Sequence, residues 1–325
     1  MAEARKRVDE AGSGARGVRE GRPATEGDRR PVREDAHRAA EDLLSVRDRG
    51  PGGRLRLARD GFRAYGLIAA MWIRATMAYR TSFVMTTLGS FAATGLDFVA
   101  VLLMFQHVER LGGFSLGEVA FLYGLAGAAL GLGDLAMGTM GRLGQKVRDG
   151  TLDTLLVRPA PVLAQVAADR FALRRLGRTT QGLAVLTYAL VQLDGVVWTP
   201  LKVLMVPVML LSGGAIFAAV FTMGGAFQFW AQDAAEVQSA FTFGGNALLQ
   251  YPPTVFAKDL VRGVTFLVPL AFVNWIPAMY VLGRPYPLAV PEWFAFLSPV
   301  VAVGFWVVAG LLWRVGVRSY RSTGS

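Results

Sequence analysis

The residues of this chain that could do chemistry are carboxylates and an amide set in greasy surroundings. Asp97 is the one Asp, Glu, Lys or Arg between Arg80 and Glu109, and Asp134 the one between Glu118 and Arg142. Asn274 lies in a third apolar run, Phe266 to Tyr280. Ionisable groups are costly in lipid, so Asp97 and Asp134 are candidate substrate or coupling-ion sites, and the Asn274 amide is a pathway or interhelical polar site. The alternative is a hydrogen-bonded interhelical site or a helix end reached by water. Asp97 and Asp134 fall about two thirds of the way along oppositely directed runs, so they are not expected to pair.

The other informative stretch is basic. From Arg142 it reads RLGQKVRDGTLDTLLVRPAPVLAQVAADRF. Asp149-Gly150 is a helix stop, because glycine readily takes the left-handed conformation. Thr151 to Val157 then predicts a short helix with Leu152, Leu155 and Leu156 on its apolar side, ended by Pro159 and Pro161. A compact knob between glycine and prolines suits docking into a partner's groove; an ordinary basic loop with its leucines on the bilayer surface is the rival reading.

Much chemistry is excluded by arithmetic. The 325 residues include no cysteine and two histidines, His37 and His107. That removes disulfides, iron–sulfur clusters, thiol catalysis and a histidine metal site. None of the four lysines (Lys6, Lys146, Lys202, Lys258) follows a glycine, so there is no phosphate-binding G-x-x-x-x-G-K-[ST] loop. H-E-x-x-H, G-x-S-x-G and D-D-x-x-D are also missing. The chain therefore carries no cofactor or metal site of its own in this reading.

The elements that must position these residues are membrane spans. The chain is 53% hydrophobic, and residues 1–60 hold 15 of its 34 basic and 12 of its 24 acidic side chains. A polar tail thus precedes a membrane body. A hydrocarbon core of about 30 Å needs about 20 apolar helical residues. Six spans satisfy this, at about 81–105, 119–141, 175–193, 203–223, 262–282 and 293–313. The third is short, so Arg174, Arg175 and Arg178 are expected to snorkel. The fold class is all-α and polytopic, with an amphipathic interfacial helix over Asp60 to Arg80. Phe62, Tyr65, Ile68, Trp72 and Tyr79 on that helix are available to lipid.

Basic residues mark the cytoplasmic side. With the tail inside, the external loops hold Arg110, Lys202 and Arg284, and the internal ones hold far more, so both termini are expected in the cytoplasm of a cell-membrane protein. The basic residues form no stripe with interleaved aromatics, so nucleic acid is not an expected partner. Residues 1–54 are too polar to bury surface and read as disordered. Phe227, Trp230, Ala234, Val237 and Phe241, spaced 3, 4, 3, 4, predict an amphipathic helix within Gly224 to Tyr251, lying along the inner leaflet or under the spans.

Taken together, the chain resembles the permease subunits of ABC transporters, in the type-2 exporter class with six spans and no ATPase domain. The likeness rests on Gly150-Thr-Leu-Asp-Thr-Leu-Leu-Val-Arg-Pro-Ala-Pro161, on Phe266-Leu-Val-Pro-Leu-Ala-Phe-Val-Asn-Trp-Ile-Pro-Ala-Met-Tyr280, and on the order of elements over roughly residues 55 to 320. The resemblance implies that Gly150, Thr151, Leu152, Asp153, Leu155, Leu156, Arg158 and Pro159 belong to a coupling helix seated in an ATPase. It also implies two ATPase subunits, which bind the ATP and magnesium, and a second permease, identical or related. The class often has glutamate where Asp153 stands, and a small polar residue near Arg158, which points to a subgroup with its own substrate. The rival functions are an ion-coupled carrier using Asp97 or Asp134 and a lipid-linked transferase, which would need a cluster of acidic groups.

Overall fold

Ser115 opens the helix around which the rest is built. Its hydroxyl accepts from the Glu118 amide at 3.4 Å, and the Glu118 carboxylate accepts from the Ser115 amide at 2.8 Å. This reciprocal capping box starts a helix over Leu116–Met137 (α3), preceded by Pro51–Met77 (α1) and Arg80–Phe105 (α2). Helix α3 is apolar all round and buried along most of its length, as a helix without a polar face has to be.

The computed structural model describes residues 51–193, 195–231 and 234–320. The expected tail therefore lies outside the described residues up to position 50. Ala58–Ser325 forms one unit. The described elements are helices and turns, apart from an isolated bridge between Leu111 and Phe114. Beyond α3 come a 3₁₀ turn at Gly138–Arg142, then Leu143–Arg148 (α4), Thr151–Leu156 (α5), Val162–Ala168 (α6), Leu176–Gln192 (α7) and Pro200–Phe227 (α8).

Glycines allow α3 and α7 to touch. A Cβ at Gly124 would stand 2.4 Å from the Leu186 amide nitrogen, and one at Gly182 2.4 Å from that of Ala128. In lipid, such close backbone packing replaces hydrophobic burial as the force between helices. On another side, Gly133 brings α3 against Phe217 of α8. The last helix, Ser298–Ser319, packs on α8, with Trp313 edge-on to Phe229 at 5.5 Å.

Among the described residues, four stretches are long and apolar enough to cross a bilayer alone: Arg80–Phe105, Leu116–Arg148, Pro200–Phe227 and Ser298–Ser319. Helix α7 has 17 residues. The expected fifth span, 262–282, is not straight: Lys258–Leu267 and Leu270–Leu282 meet at 85°. Both ends of this bent pair lie at the Ser115 end of α3. Thr254 donates to the Gly112 carbonyl at 2.8 Å just before it, and Arg284 grips Glu118 just after it. Pro269 at the bend has no amide hydrogen with which to continue a helix.

The expected amphipathic insert also lies differently. Ala235–Ser239 (α9), a π-turn at Ala240–Gly244 and Gly245–Leu249 (α10) run along α3. Gln238 meets Gly141 at one end, and Gln250 is beside Gly127 further up. Phe227, Trp230, Val237 and Phe241 are exposed as the spacing requires, while Ala234 is buried. The inward strip is polar: Gln238, Thr242 and Asn246 are all buried. An apolar face turned outward and a polar strip turned inward suit lipid rather than a water-facing surface.

Candidate functional site: a short helix mounted between two membrane helices

Gly150 makes the knob. Its φ of +65° is the left-handed conformation that a side chain resists, and it reverses the chain from α4 into α5. The expected helix forms over Thr151–Leu156, but its leucines do not share one fate. Leu152 and Leu155 are buried in this chain's own core, whereas Leu156 is 40% and Val157 87% exposed. The apolar surface offered outward is therefore Leu156 with Val157, rimmed by exposed Thr151, Thr154, Arg158 and Pro159. Periodicity marked a greasy side without revealing that most of it is used internally.

The return from the knob is held by one amide. Gln165 of α6, almost fully buried, donates from Nε2 to the carbonyls of Leu155 at 3.0 Å and Ala160 at 2.8 Å. Lys146 of α4 pairs with Asp169 beyond α6. Thr139 donates to the Ala167 carbonyl at 2.6 Å. Gln228, at the end of α8, accepts from the Gly144 amide at 2.7 Å and donates to Gln238 at 3.2 Å. From the last helix, the Tyr320 ring stands 6.2 Å from Phe229. Burial pushes the Tyr320 phenol up to about 12, and the neighbouring Asp153 carboxylate acts in the same direction.

Behind the knob sits a charge cluster. Arg175, just before α7, donates from Nη1 to the Asp134 carbonyl at 3.2 Å and sets Nε 3.1 Å from its Oδ1. Arg178 Nη1 is 3.8 Å from the other carboxylate oxygen. Of the three arginines expected to snorkel, Arg175 and Arg178 converge on the aspartate, whereas Arg174 is exposed. Gly138 makes room, since a Cβ there would stand 1.9 Å from Asp134 Oδ1. The Tyr65 hydroxyl of α1 donates to the Ala136 carbonyl at 3.0 Å beside it. Tyr65, Ile68 and Trp72 are thus half-buried, while Phe62 and Tyr79 remain open. Both arms that carry the knob, α3 and α7, are joined here.

The other two polar candidates lie apart from this cluster. Asp97 is exposed on α2, a helix with few buried residues. Asn274 is fully buried and donates from Nδ2 to the carbonyls of Leu122 and Leu249, each at 2.9 Å. It pins the bent pair to α3 and α10. Glu118 and Arg284, unremarked as a pair from sequence, form a two-pronged ion pair at 2.8 and 3.0 Å. Their separation of 166 residues left no local pattern to read. No group of three or more His, Cys, Asp or Glu placed to hold a metal occurs among the described residues.

Several apolar helices with a polar seam between them define a multi-pass membrane protein. The particular family follows from comparison: residues 91–324 match the ABC-2 family transporter protein, and the chain belongs to that family. It is a membrane component of the ABC transporter class. No curated protein and no solved structure matched it.

Proposed function

We propose that this chain is the permease subunit of an ATP-driven exporter, coupled to a separate ATPase through Gly150–Pro161. Two ATPase subunits would bind ATP and magnesium, and a second permease, identical or related, would complete the pathway. The chain would lie in the cell membrane with both termini cytoplasmic. Its six crossings would be α2, α3, α7, α8, the 235–251 segment and the last helix, with Lys258–Leu282 dipping in and out on the external side.

The observation that carries this reading is the mounting of α5: an exposed Leu156–Val157 tip on a base whose Leu152 and Leu155 are locked in the core. A push on such a tip moves α3 and α7 together because Asp134 and Arg175 join them. Export requires that nucleotide favour one of two states of the assembly. The test is co-purification from native membranes. Leu156→Asp with Val157→Asp should release the ATPase while membrane insertion and stability are unchanged. Retention of the ATPase and normal transport by that variant would refute the coupling assignment.

The exposed Asp97 supports a second reading, an ion-coupled carrier. Transport that continues without ATP and collapses with the ion gradient would favour it.

A further inference from the structure

We infer that the arginines around Asp134 form a binding site for an anionic group, a phosphate or carboxylate, at the knob end of the bundle. The inference rests on the membrane location of the chain and not on ATPase coupling.

The charges there do not balance. Arg175 uses both the Asp134 carbonyl and its Oδ1. Arg178 reaches the same carboxylate only at 3.8 Å and makes no hydrogen bond to a described residue, although a guanidinium has five N–H donors. Arg174 stands close enough to act electrostatically on Asp134, and Arg142 on Arg175. Neither is ion-paired to a described residue. Three arginines therefore act on one carboxylate, and a fourth, Arg142, stands near Arg175.

Arg178 also has the posture of a binding group. Its guanidinium carbon lies 4.9 Å over the Phe243 ring, and its side chain is 32% exposed. A guanidinium against a ring keeps N–H donors free, and their fork matches two oxygens of a phosphate or carboxylate. Depth adds a reason. Gly177, next to Arg178, packs against the Thr87 carbonyl, about 10 Å along α2 from Arg80. A surplus cation at that depth is costly unless an anion meets it. Basic pockets between membrane helices take lipid headgroups in this way, and an anionic substrate would offer the same chemistry.

The experiment uses the full chain in nanodiscs. One arm compares phosphatidylglycerol with phosphatidylcholine, reading the lipid retained by native mass spectrometry and the thermal midpoint. The other arm adds pyrophosphate to phosphatidylcholine discs. The wild type should hold phosphatidylglycerol, or be stabilised by pyrophosphate, about tenfold more strongly than Arg178→Gln. Arg178→Lys should keep only part of the effect. A response in the first arm alone identifies a lipid headgroup, and one in the second a free anion. Should Arg178→Gln not fold, Arg142→Gln with Arg174→Gln, both exposed positions, carries the same comparison. Equal binding by wild type and variants, or none by the wild type in either arm, overturns the inference.

Discussion

The two ends of α3 hold their neighbours in different ways. At the Ser115 end, one carboxylate meets one guanidinium: Glu118 completes a capping box and takes two hydrogen bonds from Arg284, whose guanidinium also stands 5.3 Å over Phe114. At the Gly138 end, Asp134 faces Arg175 and Arg178 with further arginines nearby. The first end is a neutralised clasp that pins the bent pair. The second joins the two arms of the knob and keeps positive charge in reserve. Balanced charge suits a structural closure, and unbalanced charge suits a place where something else is bound or moved.

The comparison can be broken most forcefully at Asp134. Asp134→Ala leaves a half-buried Arg175 without its counter-ion and should cost about 3 kcal/mol, read as a lowered midpoint of unfolding in detergent. Adding Arg175→Leu should recover much of that loss. Equal damage by single and double variants would show that the pair is not the joint between α3 and α7.

Gly138→Ala comes next. Its methyl group would occupy the space of Asp134 Oδ1, so it should cost about 1–3 kcal/mol by prising the same pair apart. A neutral result would mean the cluster is free to rearrange. At the other end, Glu118→Gln removes the clasp but leaves a cap, since glutamine still accepts a hydrogen bond. A smaller loss, about 1–2 kcal/mol, is expected, with faster protease cleavage near Arg284. A larger loss there than at Asp134 would reverse the ranking of the two ends.

The smallest effect concerns Tyr320. Its phenol ionises near pH 12 in the folded chain, against about 10 when unfolded. Its contribution is therefore complete below pH 10 and is lost as pH rises toward 12. The ultraviolet titration of wild type minus Tyr320→Phe should show one phenol ionising above pH 11. A difference curve centred at 10 would detach Tyr320 from the knob.

Much of this was legible in the chain itself. The runs between charges located α2, α3, α8 and the last helix, because the thickness of hydrocarbon sets a length that composition has to meet. Gly150 and the two prolines bounded α5 to within a residue or two, since both residue types restrict the backbone locally. The spacing around Val237 marks an apolar face, and the fold turns that face outward. That the segment runs along α3 depends on contacts with Gly127 and Gly141 that a period does not carry.

What the sequence determined was length, hydropathy and local backbone choice, each a property of neighbours along the chain. That Leu155 faces inward, that Lys258–Leu282 folds back to the end it left, and that Asp134 collects Arg175 and Arg178 were settled by packing. The last two outcomes depend on groups brought together across 41 to 166 residues, where electrostatics and packing act through space and leave no spacing to read.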